Sequence, residues 1–203
     1  MQYANLMQVP TLEGAHVRLE PLTLAHLPAL EAVAFDPSIW RYMLSILRTP
    51  EDLRAWATFA LSTPNMFTWV TIKKSHDHTP DQLVGSTRFI DLDLTHRSTE
   101  IGHTWLAAPA RGTLINAEAK LLQLTYAFET LNLNRVALKT HHENLQSQNA
   151  MKSIGAIYEG TFRNHYLMPD GTLRHSIWFS ITREDWPTTK AHLQSRLAAR
   201  SNV

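Results

Sequence analysis

The stretch from Phe67 to Ala107 constrains this chain most. Three runs of strand character follow one another there, "FTWVTIKK" (Phe67–Lys74), "LVGSTRFIDLD" (Leu83–Asp93) and "STEIGHTWLA" (Ser98–Ala107), with only short polar turns between them. Strands joined by turns that short run back and forth, so they read as an antiparallel meander. Gly102 interrupts the third run, which points to a bulge or a close backbone approach. The pattern then changes. "PARGTLINAEAKLL" (Pro109–Leu122) is a tight loop entering a long helix, read from Asn116 to about Leu131, with Leu121, Leu124, Phe128 and Leu131 as its apolar stripe. The short apolar strand "RVALKT" (Arg135–Thr140) follows, and strand, helix and strand in that order make a right-handed crossover. A meander and a crossover in one chain imply a mixed α/β (α+β) fold: a central mixed, mostly antiparallel sheet with helices on both faces.

The flanks fit that frame. "HVRLEPL" (His16–Leu22) reads as a strand. "TLAHLPALEAVAF" reads as a helix capped by Thr23, and "TPEDLRAWATFAL" as a second, with Thr49 ahead of Pro50 and two acids in its first turn. "NLQSQNAMKSIG" is a helix stopped at Gly155. "AIYEGTFRNHYL" and "TLRHSIWFSIT" are strands joined through the turn "MPDG", and "WPTTKAHLQSRLAAR" closes the chain as an amphipathic helix. No repeat or linker divides the chain. It reads as a single domain over residues 1–187, with 188–203 a helical extension of it.

Composition narrows the function classes. Hydrophobic residues make up 44% and charged residues 18%, which is ordinary globular usage. A formal net charge of +1 leaves no surplus of cations for bulk nucleic-acid binding. With no cysteine there is no disulfide, no thiolate zinc site and no cysteine nucleophile. No apolar run approaches the roughly 20 residues a membrane helix needs, and "MQYANLMQVPTLEG" lacks the pattern of a signal peptide. A soluble cytoplasmic protein is the expectation, with neither nucleic acid nor membrane as partner. A homodimer through the sheet edge or the C-terminal helix is compatible with the sequence.

Three constellations could carry chemistry, and each has a plainer reading. Arg111, Gly112, Thr113, Leu114, Ile115 and Asn116 lie between a strand end and a helix N-terminus, where unpaired N–H groups and the helix dipole favour a phosphate. Arg111 would add a cation and Thr113 a hydroxyl donor; the plainer reading is a strand-to-helix turn capped by Asn116. Asn144 and Ser147, at i and i+3, share a face near the start of their helix; helix capping explains Asn144 equally well. Glu100 is placed to accept a proton, and strict alternation sets it on one face with Gly102 and Thr104, with His103 opposite unless a bulge at Gly102 changes the register. Alternatively it is a solvated strand residue paired with Arg97 or Arg88. The clusters "SHDHTPD" and "THHEN" are not read as metal sites, because His141 and His142 are adjacent on a strand and should diverge. Trp40, Tyr42, Trp56 and Trp69 are core or pocket walls.

In their order, four segments resemble the GNAT superfamily of acyl-CoA-dependent N-acetyltransferases, and within it the ribosomal-protein N-terminal (RimJ/RimL-like) branch. They are "GAHVRLEPLTLAHLPAL", "STEIGHTWLAAPARGTLINAEAKLL", "LKTHHENLQSQNAMKSIGAIYEG" and "DGTLRHSIWFSITREDWP". The resemblance implies the three-layer GNAT fold, acetyl-CoA as cosubstrate without a metal, and transfer of acetyl to a primary amine, either a protein N-terminus or a small molecule. By the same resemblance, residues 111–116 hold the coenzyme's pyrophosphate and the backbone of Trp105, Leu106 and Ala107 pairs with its pantetheine arm. Asn144 contacts that arm, Glu100 is the base, and Ser147 is the acid beside the sulfur. The family's loop has the form Arg/Gln-x-x-Gly-x-Gly/Ala, so Leu114 stands where a glycine is expected. Met151 stands where many relatives place a tyrosine acid, leaving Ser147 as the substitute. Those two departures motivate an alternative, a non-catalytic acyl-CoA-binding or regulatory module. A structural protein that binds no coenzyme is a third reading.

Overall fold

The computed structural model describes residues 8–75 and 79–201. The chain begins with β1 (Leu12–Glu13) and β2 (Val17–Pro21), then a 3-10 turn (Leu24–His26), α1 (Leu27–Ala34), α2 (Pro37–Trp40) and α3 (Pro50–Ser62). The meander is β3 (Phe67–Lys73), β4 (Gln82–Asp93) and β5 (Ser98–Leu106). After it come α4 (Leu114–Thr125), a π-turn (Tyr126–Thr130), β6 (Arg135–His141), α5 (Leu145–Ser153), β7 (Ile157–Leu167), β8 (Leu173–Thr182) and α6 (Trp186–Ser201). All eight strands join one sheet in the order β1-β2-β3-β4-β5-β6-β8-β7. Every neighbouring pair is antiparallel except β5 with β6.

Helices cover both faces, and the apolar residues divide accordingly. On one face Ile115 and Leu124 of α4, Phe128 of the π-turn, and Trp186 and Leu193 of α6 pack on Val136, Leu138, Phe179 and Ile181. On the other, Leu30, Leu53 and Trp56 pack on Val70, Ile72 and Trp105. Each such side chain, fully buried, contributes about 1.5–3 kcal/mol, so this division fixes which way each strand residue points. Glu118 adds a polar clasp: its carboxylate accepts the backbone N–H groups of Ala15 and His16 at 2.8 and 2.7 Å, tying α4 to the first hairpin.

The helix caps agree with the sequence in part. Thr49 accepts from the Asp52 N–H, with Pro50 at the first helical position. Thr23 instead opens the 3-10 turn, its N–H donating to His26 Nδ1, and the α-helix begins only at Leu27. Two elements were not anticipated. β1 is two residues long and α2 a single turn capped by Asp36, both too short for a periodic signal. The first histidine cluster, His76, Asp77 and His78, lies outside the described residues.

Candidate active site

The sheet opens in its middle. β5 and β6 pair only at Ser98–Arg135, Thr99–Val136 and Glu100–Ala137, and beyond Glu100 the two strands are no longer paired. Opposite that opening, β5 is bulged. Ser86 faces Trp105 and Arg88 faces Gly102, so two steps on β4 are met by three on β5. His103 absorbs the extra residue at φ +45°, a left-handed conformation that costs of order 1–3 kcal/mol in a non-glycine residue.

The bulge reverses the expected facing. Ile101 packs on the α4 side of the sheet and Trp105 on the α1–α3 side, although the two are four positions apart and alternation would put them on one face. Thr104 accordingly turns to the α4 side, its hydroxyl bonded to Thr87 and to Nζ of the buried Lys120. His103 lies with Glu100, within reach of the charges of Arg88, Lys139 and Arg174. Burial first, then those cations, push its imidazole down to about 4, so it is neutral and a poor proton acceptor at neutral pH.

Glu100 is 7% exposed, and its partner is Lys139 rather than Arg97 or Arg88. Oε2 accepts from the Lys139 ammonium at 2.6 Å. Gly102 leaves the space for this carboxylate: a Cβ there would lie 2.7 Å from Oε1. Burial raises the Glu100 carboxyl above the usual range, and Lys139 opposes that rise. The Lys139 ammonium also lies over the rings of Trp178 and Tyr166, 4.8 and 5.6 Å from their centroids. Tyr42 joins this face, its ring against His141 and its carbonyl accepting from Arg174. Trp40, Trp56 and Trp69 are core residues.

The loop ahead of α4 begins its helix two residues earlier than expected. Thr113, not Asn116, is the N-cap; its hydroxyl accepts from the Ile115 N–H and donates to the Ala110 carbonyl. Leu114, Ile115 and Asn116 form the first turn, where main-chain N–H groups point away from the helix. The Arg111 guanidinium donates to the Leu106 carbonyl at 2.8 Å and the Ser38 hydroxyl at 2.9 Å, and lies 3.6 Å from the Asp36 carboxylate. The loop therefore uses the Thr113 hydroxyl itself and the Arg111 guanidinium in part, its Nη2 having no hydrogen-bond acceptor. Gly112 takes φ +73°, and a Cβ there would meet nothing within 4 Å, so the space above the loop is open.

The chain as a whole is similar to known proteins. Residues 16–157, more than half of the chain, match the family model described as Acetyltransferase (GNAT) domain. The chain belongs to the GNAT acetyltransferases. It is 33% identical over 108 residues to "Putative ribosomal N-acetyltransferase YdaF" of Bacillus subtilis, a match spanning 53% of this chain and 58% of that protein. A crystal structure of a "putative acetyltransferase" from T. thermophilus is 36% identical, with a TM-score of 0.85 over 95% of this chain and all of the other. Mycobacterium smegmatis RimJ, in complex with CoA-disulfide, shares the fold at a TM-score of 0.78 and 20% identity over 94% of this chain and 95% of that one.

GNAT membership makes this an acetyl-CoA-dependent N-acetyltransferase, and the residues present fit that cosubstrate. The opening beside β5, the open space over Gly112 and the exposed helix start are what a nucleotide thioester needs. Leu114, the departure from the GNAT loop pattern, takes part in the first helical turn and is not among the residues with positive φ. A glycine's conformational freedom is not required there. Asn144 caps α5, its Oδ1 accepting from the Ser147 N–H at 3.0 Å, and Ser147 is half-buried one turn on. Met151 packs against the core on the α4 side.

Among the described residues no group of three or more His, Asp or Glu side chains converges as a metal site. His141 and His142 do not diverge: His142 follows the end of β6, and the two rings stack with centroids 4.4 Å apart. Among the described residues no helix is long and apolar enough to cross a membrane.

Proposed function

We propose that this GNAT enzyme acetylates a primary amine, a small molecule or a protein N-terminus, by direct attack, with Glu100 as the general base. The observation that carries this reading is the position of Glu100: a buried carboxylate at the last paired residue of β5, where the sheet opens. Acetyl-CoA supplies the acyl group as a thioester. Its pyrophosphate is assigned to residues 111–116, of which Arg111 and Ile115 already give their N–H groups to Ala108 and Thr113, and its pantetheine arm to the backbone of Trp105–Ala107 and to Asn144. The Ala107 N–H donates to Val84 and Trp105 is paired with Ser86 of β4, so Leu106, whose carbonyl also accepts from Arg111, is the residue of that stretch whose backbone turns away from β4.

Glu100 accepts a proton from the acceptor amine, whose nitrogen bonds to the acyl carbon. An N–H at the bulge donates to the acyl oxygen as charge builds there. Ser147 passes a proton to the departing sulfur. A free thiol ionises near 8.5, so that help is modest. Transfer of labelled acetyl to a panel of small amines and peptide N-termini tests the reading. Coenzyme binding without transfer to any of them would instead support a non-catalytic module. The outer strand β7 exposes Ile157 and Tyr158, the surface we assign to a homodimer; sedimentation equilibrium tests that.

A further inference from the structure

The face that holds Glu100 carries more positive charge than a general amine site needs. Arg88, Lys139 and Arg174 all act on His103 there, and the buried carboxylate among them, Glu100, is already paired with Lys139. Asp91 also acts on Glu100, but from an exposed position. The two guanidinium groups lack a carboxylate of their own. Arg88 is 0% exposed; it lies over the Trp56 ring and touches only the Met66 sulfur through Nη1. Its Nε and Nη2 have no acceptor. Arg174 is 6% exposed, spends Nη1 on the Tyr42 carbonyl and leaves Nε without an acceptor. The indole N–H groups of Trp105 and Trp178 are likewise buried without one.

A native interior seldom leaves so many donors unmatched. Together they make the buried layer beneath this face rich in unmatched donors and positive in charge, which favours a ligand rich in acceptors and negative in charge. An open groove of about 880 Å³, lined by Phe162, Arg163, Asn164, His165 and His175, runs along the β7–β8 hairpin. His165 is in ring contact with Tyr166 and Trp178, the two rings beneath the Lys139 ammonium, so the groove borders the aromatic wall of the Glu100–Lys139 pair.

Resting on the acetyltransferase reading above, we propose that this face selects a small acceptor whose amine is accompanied by a carboxylate. Its amine end lies at Glu100 beside the Tyr166 and Trp178 rings. Its carboxylate end is held by Arg174, whose planar fork matches two oxygens, in the field of Arg88. A polyamine would bring further positive charge to this face, where among the described residues the buried carboxylate is already paired with Lys139 and only the exposed Asp91 stands by to offset it.

The test uses matched pairs of amines with coenzyme-loaded enzyme: glycine, β-alanine, 4-aminobutyrate and glutamate, each against its amide, with putrescine alongside. Binding is measured by calorimetry with coenzyme A, and turnover with acetyl-CoA. In at least one pair the carboxylate should exceed its amide, and exceed putrescine, by about tenfold in both affinity and kcat/KM, the scale of one charge-assisted contact. Arg174→Gln should bring that ratio close to one, chiefly through KM, and Arg174→Lys should keep more of it than the glutamine variant. Circular dichroism checks that both variants fold. Amides or putrescine used as well as the acids would overturn the proposal while leaving the transferase intact. So would a ratio untouched by Arg174→Gln. Tight carboxylate binding with no acetylation of any amine would keep the anion site and overturn the transferase reading. Neither binding nor turnover would overturn both.

Discussion

The loop at the head of α4 and the face around Glu100 use their side chains in opposite ways. In the loop, Arg111 gives Nε and Nη1 to Leu106 and Ser38, with Nη2 near Asp36 left without an acceptor, and Thr113 is spent on Ala110 and Ile115. What remains for a ligand is mostly main-chain N–H. On the face, the buried side chains themselves are charged or polar, and donors exceed acceptors. A site made of backbone depends on conformation and tolerates changes of side chain. A site made of side chains depends on their identity. Coenzyme binding should therefore be robust to substitution where catalysis and acceptor choice are fragile.

The largest expected effect lies on the fragile side. Glu100→Gln keeps the shape but cannot accept the proton, and kcat should fall roughly 10²–10⁴-fold with coenzyme affinity nearly unchanged. The wild-type rate should rise with pH through the Glu100 ionisation, above the usual carboxylate range because burial raises it. That acidic limb should vanish in the glutamine variant. Lys139→Met is the control on sign. Lys139 holds the Glu100 carboxyl down, so its loss should move the limb to higher pH. A pH–rate profile and a coenzyme titration for each variant check all of this; equal losses in kcat and coenzyme affinity would erase the contrast between the two regions.

Next comes the backbone itself. Gly112→Val adds no clash, since the space above the loop is open, but it forces a β-branched residue into φ +73°. Strain of about 1–3 kcal/mol should tilt the loop and weaken coenzyme A by about tenfold or more. The turnover number at saturating acetyl-CoA should change little. Calorimetry with coenzyme A is the measurement. An unchanged Kd would mean that the loop is not the pyrophosphate site.

How far the sequence carried this reading follows the same division. The meander, the crossover, the Gly155 stop and the "MPDG" turn were legible because each is local. Gly155 and Gly171 both take positive φ where the sequence called for it. Gly102 signalled a bulge, but the glycine only makes room, and His103 is the residue that bends. One inserted residue turned Thr104 away from Glu100 and brought His103 beside it, which alternation cannot foresee. The Glu100–Lys139 pair joins residues 39 apart across the parallel pair β5–β6, and Arg174 arrives from β8. Neither partner has a local signature. Arg174 and Arg88 were missed as site residues for that reason. A buried-strand position occupied by arginine, as in "GSTRFI", was the available signal.

The smallest expected effect is the sharpest test of the backbone half. Leu114→Gly restores the residue that the GNAT loop pattern calls for. If side-chain bulk at this position impeded the pyrophosphate, the change should tighten coenzyme binding markedly. The structure argues otherwise, because Leu114 sits at the first position of α4 with ordinary helical backbone, and its N–H is present whatever the side chain. Glycine there costs helix propensity, up to about 1 kcal/mol, and offers in return only a freedom the loop does not use. Coenzyme affinity should therefore stay within a few-fold of wild type, a difference below about 1 kcal/mol, with a small fall in thermal stability. A gain of tenfold or more would show that bulk at this position, rather than backbone conformation, limits the cradle, and the division between the two regions would have to be redrawn.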